Sequence, residues 1–380
     1  MQITLAAFLQ HTPDGEEAQG IVQKCVHCGF CTATCPTYQL LGDELDGPRG
    51  RIYLMKQVLE GQPAGERTRL HLDRCLTCRN CESTCPSGVT YGRLVEIGRK
   101  IVEDQLDAQG AARPLAERAM RWVLREALTR PKLFGPALRL GQAVRPLLPP
   151  VLRNKVPATA RVFDRLGVQL ISAPRAGCCG AIRYHMNDHA GGLGNMRANV
   201  DAWWPHIEAG AEAIVMTASG CGAMVKEYGH LLRDDPAYAE RAARVSAMTR
   251  DLCEVLPAFS DQLLRQAKPE THRPRVAWHA PCTLQHGQQI RGAVEGLLAS
   301  LGVEVRLCTD SHLCCGSAGT YSVLQPELAY RLRDDKLRSL LATQPERIVS
   351  ANIGCVTHLQ SGTDTPVEHW IELVDRMLAG

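Results

Sequence analysis

Long apolar runs are missing. No stretch of the 380 residues approaches the roughly 18 uninterrupted apolar residues that a membrane-spanning helix needs, so no such helix is expected. Aromatics are scarce at 5%, which leaves no stacking platform for nucleic-acid bases, and no nucleic-acid recognition motif accompanies the basic residues, so no nucleic acid is expected as a partner. No G-x-G-x-x-G stands between a strand and a helix, so a flavin or dinucleotide site is not expected in this chain. The first ten residues, Met1 to Gln10, hold neither a basic n-region nor a small-residue cleavage site, so export is not expected and a cytoplasmic location is. Net charge is small at +3, and 45% apolar with 22% charged residues is ordinary for a globular chain.

Cysteine is what the chain has in excess. Seventeen cysteines in a chain not expected to be exported point to metal binding rather than to disulfides. Eight fall in two runs. The first is Cys25-Val-His-Cys28-Gly-Phe-Cys31-Thr-Ala-Thr-Cys35-Pro36 and the second is Cys75-Leu-Thr-Cys78-Arg-Asn-Cys81-Glu-Ser-Thr-Cys85-Pro86. Both match the ferredoxin pattern C-x2-C-x2-C-x3-C-P, in which three closely spaced thiolates wrap one iron–sulfur cube and the fourth ligates the other cube. The spacing therefore predicts one [4Fe–4S] cluster on Cys25, Cys28, Cys31 and Cys85, and a second on Cys75, Cys78, Cys81 and Cys35. Structural zinc draws its cysteines as pairs from separated loops and fits this double run poorly.

The spacing of apolar residues predicts helices over residues 16–24, 51–60 and 91–106, so the cluster loops are held between helices. Residues 1–109 then form an α-helical di-cluster ferredoxin domain. Residues 110–157 read as a basic helix and a proline-rich linker. Between Gly110 and Lys155 ten Arg and Lys residues stand against Glu117 and Glu126. An amphipathic helix over 114–129 sets Arg118, Arg121 and Arg125 on one face, which is either a solvated face leading into a tether or a surface for a partner subunit or an anionic membrane.

Beyond residue 158 the chain repeats itself. One copy holds Leu166-Gly-Val, Cys178-Cys179-Gly180, Ile214-Val215 and Gly220-Cys221; the other holds Leu301-Gly-Val, Cys314-Cys315-Gly316, Ile348-Val349 and Gly354-Cys355. Ile to Cys is seven residues in both, which argues for duplication. Strands alternating with helices predict parallel sheets with the cysteines in loops at strand ends. The fold class expected is an N-terminal α-helical domain for two [4Fe–4S] clusters followed by a duplicated α/β Cys-Cys-Gly domain with parallel sheets. Its modules span 158–265 and 266–380. The second opens on a strand, Arg275 to His279, leading to Cys282; the equivalent place in the first falls near residue 147, so the first module is expected to lack its leading strand. Cys253 and Cys308 lie outside the repeat and read as buried apolar fillers.

This layout resembles a family of dehydrogenase iron–sulfur subunits that includes parts of heterodisulfide reductase, anaerobic glycerol-3-phosphate dehydrogenase and lactate-utilisation proteins. It is most similar to the iron–sulfur subunits of glycolate oxidase (glycolate dehydrogenase). The stretches that carry the resemblance are Cys25 to Lys56 with its Gly-Pro-Arg-Gly-Arg segment, Thr217 to Gly229, Trp278 to His286, Asp310 to Tyr321 and Ala351 to His358. The resemblance implies electron transfer within a complex whose flavin-bearing subunits oxidise glycolate to glyoxylate. This subunit would be an oxidoreductase component without catalysis of its own, passing electrons to a quinone or other acceptor. Another hydroxy acid or glycerol 3-phosphate as the donor, and heterodisulfide-reductase-like catalysis, are the alternatives. It also implies a site on the cytoplasmic side, with peripheral attachment to the inner membrane as the variant. In such modules Cys282, Cys314, Cys315 and Cys355 furnish four thiolates for a further iron–sulfur cluster, with His279 and His358 nearby. The first module offers only Cys178, Cys179 and Cys221, one thiolate short.

Overall fold

The computed structural model describes residues 1–130, 158–268 and 271–379. The proline-rich part of the expected linker and the place of the expected missing strand both lie outside these residues. The chain gathers into two compact units. Unit 1 holds Met1–Arg118, Ala280–Ile290 and Thr309–Ser339; unit 2 holds Ala119–His279, Arg291–Cys308 and Leu340–Gly380.

Unit 1 is helical. Helix α1 (Pro13–Lys24) begins where the Thr12 hydroxyl accepts from the Gly15 N–H at 3.1 Å, with proline at the first helical position and Asp14 and Glu16 in the first turn. Each of these features suits the positive, donor-rich end of a helix. Helices α2 (Pro36–Leu41) and α3 (Pro48–Leu59) also start on proline, α4 spans Glu66–Asp73, α5 Asn80–Thr84 and α6 Tyr91–Ala108. Their apolar stripes meet in one core: Ala18, Val22, Met55, Leu59, Leu72, Leu94, Val95, Val102 and Leu106 are almost wholly enclosed. Each such aliphatic side chain contributes about 1.5–3 kcal/mol by leaving water, and the cysteine loops hang from this scaffold. Arg113 gathers Asp73, Glu103 and Glu117 within 2.6–2.8 Å.

Helix α7 (Leu115–Thr129) forms where the amphipathic pattern predicts one. Its apolar residues Leu115, Met120, Trp122, Val123 and Leu128 are exposed.

Unit 2 carries the parallel sheets. Strands β1 (Ile214–Met216) and β2 (Thr249–Asp251) pair in parallel; β3 (Val276–His279), β4 (Val305–Leu307), β5 (Arg347–Ser350) and β6 (Val367–His369) form a second sheet in the order β4-β3-β5-β6, every pair parallel. Parallel strands need crossovers and cover on both faces, and β3 and β5 accordingly read as buried apolar runs. Among the described residues the first module contributes two strands and the second four. Trp278 and Trp370 are fully enclosed in unit 2, and Arg161 of the helix Ala158–Arg165 pairs with Asp375. The Ser219 N–H donates to the Ala351 carbonyl at 3.1 Å, so the segments following β1 and β5, which lead to Cys221 and Cys355, are tied to each other. Cys253 and Cys308 are both buried.

Candidate metal centre

The two ferredoxin runs fold alike. In the first, His27 and Gly29 adopt left-handed backbone; in the second, Thr77 and Arg79 do so at the same offsets. Each loop then enters a short helical turn, and the N–H groups of Cys35 and Cys85 both close it at 3.2 Å, onto the carbonyls of Thr32 and Glu82. Pro36 and Pro86 follow. The left-handed steps curl the chain so that three thiols face inward.

The fourth thiols cross over. Cys25, Cys28, Cys31 and Cys85 line one pocket, together with Val26, Phe30, Ile52 and Tyr91. Cys35, Cys75, Cys78 and Cys81 line another, with Thr37, Arg51, Leu76 and Tyr91. Cys81 also borders the first pocket. Electrostatics follow the same grouping. Burial, then the charges of Cys25, Cys85 and Cys28, push the Cys31 thiol up to about 11. Burial, then Cys78, Cys75, Glu82 and Cys35, push Cys81 well above its ordinary value. Thiols so crowded and dry resist ionising unless a cation shares the pocket. Four soft sulfur donors in an apolar setting fit a [4Fe–4S] cluster, whose irons supply that charge.

The surroundings of the second pocket were not anticipated from the sequence. Arg51 of α3 is fully buried. Its Nε donates to the His71 carbonyl at 2.7 Å, its Nη2 to Thr37 Oγ1 at 3.1 Å, and its Nη1 lies 4.0 Å from Cys35 Sγ. Asp46, also enclosed, draws Arg51 at 3.5 Å, His71 Nδ1 at 2.9 Å and Arg74 at 2.8 Å. Burial raises the Cys35 thiol while the Arg51 charge opposes it. The Tyr91 hydroxyl and the Thr77 N–H donate to Cys75 Sγ at 3.7 and 3.4 Å, and Arg99 braces the loop through the carbonyls of Leu72 and Cys75. Hydrogen bonds and fixed charge at the sulfurs are the means by which a protein tunes such a centre. The only sequence signal for Arg51 was its place in the Gly-Pro-Arg-Gly-Arg segment.

The second module's cysteines divide by unit. Cys282, Cys314 and Cys315 lie in unit 1 and are buried there. The Cys282 thiol hydrogen-bonds with the sulfurs of Cys314 and Cys78, and with burial these neighbours push it well above its ordinary value. At Cys314 that bond lowers the thiol, but its own bond to Cys315 and its burial prevail and leave it at about 12. Four sulfurs therefore run in a row from the second pocket: Cys78, Cys282, Cys314, Cys315. Asn80 of the second run holds the carbonyls of Thr34 and His312 at 3.0 and 3.1 Å. His286 gives its Nε2 proton to the His312 carbonyl at 2.9 Å and so accepts from Ser83 at Nδ1, 3.0 Å away. Cys355 lies in unit 2, buried near the start of the helix Ile353–Gln360 with His358, and a ring nitrogen of His279 is within 4.8 Å of its sulfur.

The first module's cysteines sit together in unit 2. Cys179 hydrogen-bonds with the sulfurs of Cys178 and Cys221. That bond, with N–H groups at Gly180 and Ile182 and the Arg183 charge against burial, holds Cys178 down at about 6. Asn199 fixes the loop, accepting from the Gly177 N–H at 2.8 Å and donating to the Cys178 carbonyl at 2.9 Å. In both modules the glycine of Cys-Cys-Gly has a physical cause. Gly180 and Gly316 have φ of +89° and +88°, and a Cβ would stand 2.7 Å from the Gly192 carbonyl oxygen and 2.4 Å from that of Ala329. Left-handed backbone pressed on a carbonyl leaves room for glycine alone.

Comparison with known proteins agrees with this reading. The family model of the 4Fe-4S dicluster domain matches residues 21–89, and that of the cysteine-rich domain matches residues 150–226 and 276–360. The chain is similar to the glycolate oxidase iron–sulfur subunit of Escherichia coli (strain K12), 50% identical over 413 aligned positions that cover all of this chain and 99% of the relative. A probable glycolate oxidase iron–sulfur subunit of Bacillus subtilis (strain 168) is 30% identical, with 91% of this chain and 90% of the relative covered. Lactate utilization protein A 2 of Bacillus mycoides (strain KBAB4) is 28% identical over 57% of this chain and 90% of the relative. With two four-thiol pockets, two cysteine-rich modules and a full-length relative at this identity, the chain belongs to the family of glycolate oxidase iron–sulfur subunits.

Proposed function

We propose that this chain carries electrons from flavin-bearing subunits that oxidise glycolate to glyoxylate towards a quinone or other acceptor. The observation that carries the reading is the pair of four-thiol pockets with exchanged fourth cysteines, in a chain so close to a named glycolate oxidase subunit along its whole length. Cys25, Cys28, Cys31 and Cys85 hold one [4Fe–4S] cluster; Cys75, Cys78, Cys81 and Cys35 hold the other. Such clusters exchange one electron at a time at potentials the protein sets. Tyr91, Thr77 and Arg51 stabilise added negative charge at the second set of sulfurs. The substrate is oxidised on the flavin-bearing subunits, so this subunit is not catalytic alone. Its relatives' names favour neither glycerol 3-phosphate as donor nor disulfide reduction.

A further iron–sulfur site on Cys282, Cys314, Cys315 and Cys355 is part of the proposal. It is supported by the thiolate count and by the sulfur row that leads away from Cys78. Cys178, Cys179 and Cys221 are a weaker candidate, since three thiolates leave a cube one ligand short. Peripheral attachment to an anionic membrane face is supported by the basic face of α7. Among the described residues no helix is long and apolar enough to cross a membrane.

Iron and acid-labile sulfide content, with EPR of anaerobically purified protein, tests the cofactor set. About eight irons per chain indicates two cubes and about twelve a third; Cys282→Ser that keeps all its iron would remove metal from the second module. Reduction of the clusters by glycolate in the presence of the flavin-bearing subunits, and not in their absence, is the outcome expected. Protein purified without iron would sink the reading.

A further inference from the structure

We propose that the outer face of the first cysteine loop, formed by Val26, His27, Cys28 and Phe30 with Tyr53 beside them, seats the electron-donating flavoprotein. The proposal rests on the functional reading above and adds where the electrons enter.

The two cysteine loops supply the comparison. They share their left-handed steps and closing hydrogen bonds, so residues at equal offsets occupy equivalent places. Val26 corresponds to Leu76, and Phe30 to Asn80. Leu76 and Asn80 are 7% and 2% exposed, whereas Val26 and Phe30 are 68% and 62% exposed. The chain itself covers the second loop. Leu76 packs with Cys282, Cys314, Tyr321, Leu328 and Leu332, and Asn80 binds the His312 carbonyl. Nothing among the described residues covers the first loop in the same way. Cys28 is exposed, and the His27 and Tyr53 rings lie together with centroids 6.3 Å apart.

Large apolar side chains exposed around a redox ligand are unusual unless a partner covers them, and aromatics at the centre of a patch are the residues on which interfaces turn. The chemistry below the patch selects the partner. An electron reaches these thiolates by contact with another redox group, and the first pocket is the one that includes an exposed cysteine, Cys28, where the second has at most the half-buried Cys78. Arg49, the one fully charged residue lining that pocket, is held by Glu44 in a two-point ion pair at 2.6 and 3.0 Å, so the apolar side chains and the exposed ligand dominate the face. The complementary surface is therefore apolar, around the accessible edge of a reduced flavin. Oxidation of one glycolate to glyoxylate delivers two electrons and two protons to that flavin. The electrons cross singly past Cys28, and the protons leave from the flavin to solvent. From there the chain's own path inward runs to the second pocket and the Cys78–Cys282–Cys314 row.

Phe30→Glu and Val26→Glu test this in the full-length, cluster-loaded protein, mixed anaerobically with the glycolate-reduced flavoprotein subunits in a stopped-flow instrument. Cluster reduction is expected to slow at least tenfold in each variant, while dithionite still elicits EPR signals from two clusters, whose midpoint potentials are titrated alongside because both residues line the first pocket. Wild-type rates in both variants, with those signals intact, overturn the docking face. A measurement on unaltered protein guards against variants that fail to assemble. A soluble dysprosium chelate should speed the relaxation of one cluster's EPR signal, and adding the flavoprotein should suppress the effect; undiminished access with the partner bound overturns the proposal. Wild-type protein that dithionite reduces but glycolate-reduced flavoprotein does not would instead overturn the glycolate reading, and this proposal with it.

Discussion

Arg51 brings a full positive charge into a place without water. Burial alone would disfavour that charge, but Cys75, Tyr91, Cys35 and Asp46 around it hold the guanidinium protonated. A fixed cation beside two cluster sulfurs stabilises the reduced, more negative centre. Arg51→Gln is therefore expected to lower the midpoint potential of one of the two clusters and leave the other in place, read by EPR-monitored redox titration. It also leaves Asp46 with two of its three partners, His71 and Arg74. Breaking a buried pair of this kind costs about 3 to 5 kcal/mol, so the variant should melt well below the parent in the oxidised state. Equal potentials in variant and parent would rule out the tuning role. At this scale the eight ferredoxin cysteines were legible, because their chemistry fixes their spacing. Arg51 was not, because its partners Thr37, Asp46 and His71 come from three separate segments that only tertiary packing brings together.

Elements were legible where periodicity or punctuation marks them. The helices expected over 16–24, 51–60 and 91–106 occur as Pro13–Lys24, Pro48–Leu59 and Tyr91–Ala108, and the strand expected over Arg275–His279 occurs as Val276–His279. The N-terminal extensions of the first two come from proline at the first helical position, which the apolar pattern does not register. The four-stranded order β4-β3-β5-β6 was not legible, since strand order depends on which crossovers pack, not on any one strand's residues. The Cys-Cys-Gly loops show how an element imposes a residue. Gly316→Ala adds a Cβ to left-handed backbone 2.4 Å from the Ala329 carbonyl oxygen, whereas Gly319, at φ +64°, has open space where a Cβ would go. Left-handed backbone alone costs a non-glycine residue about 1–2 kcal/mol. Gly319→Ala should lose about that much in denaturant unfolding, and Gly316→Ala distinctly more, with displacement of Cys314 and Cys315. Equal losses at the two positions would show that the carbonyl contact is unimportant.

At the scale of the whole chain, segments far apart in sequence share one compact unit. Residues 280–290 and 309–339 of the second module gather with the ferredoxin helices. The bonds responsible, Asn80 to His312 and Ser83 to His286, join residues more than 200 positions apart, and no local pattern announces them. Charge is the whole-chain property the sequence did expose. A net +3 hides ten basic residues against two acidic ones between Gly110 and Lys155, and α7 carries part of this excess as the exposed Arg118 and the half-buried Arg121 and Arg125, spaced along one side of the helix. Trp122 of the same helix is more than half exposed, and tryptophan is the residue best suited to the headgroup region of a bilayer. Basic residues near an anionic membrane surface contribute about 1 kcal/mol each. Replacing the three arginines with glutamine should thus cost between about 1 kcal/mol, from the exposed Arg118 alone, and about 3 kcal/mol of surface affinity, a drop of roughly one to two orders of magnitude in partitioning. Co-sedimentation with vesicles containing phosphatidylserine measures it. Binding should also fade with added salt, as screening shortens the reach of each charge, and should fail on vesicles of phosphatidylcholine alone. A triple variant that partitions like the parent would leave α7 as a solvated helix and remove the support for membrane attachment, without touching the two thiol pockets or the electron path built on them.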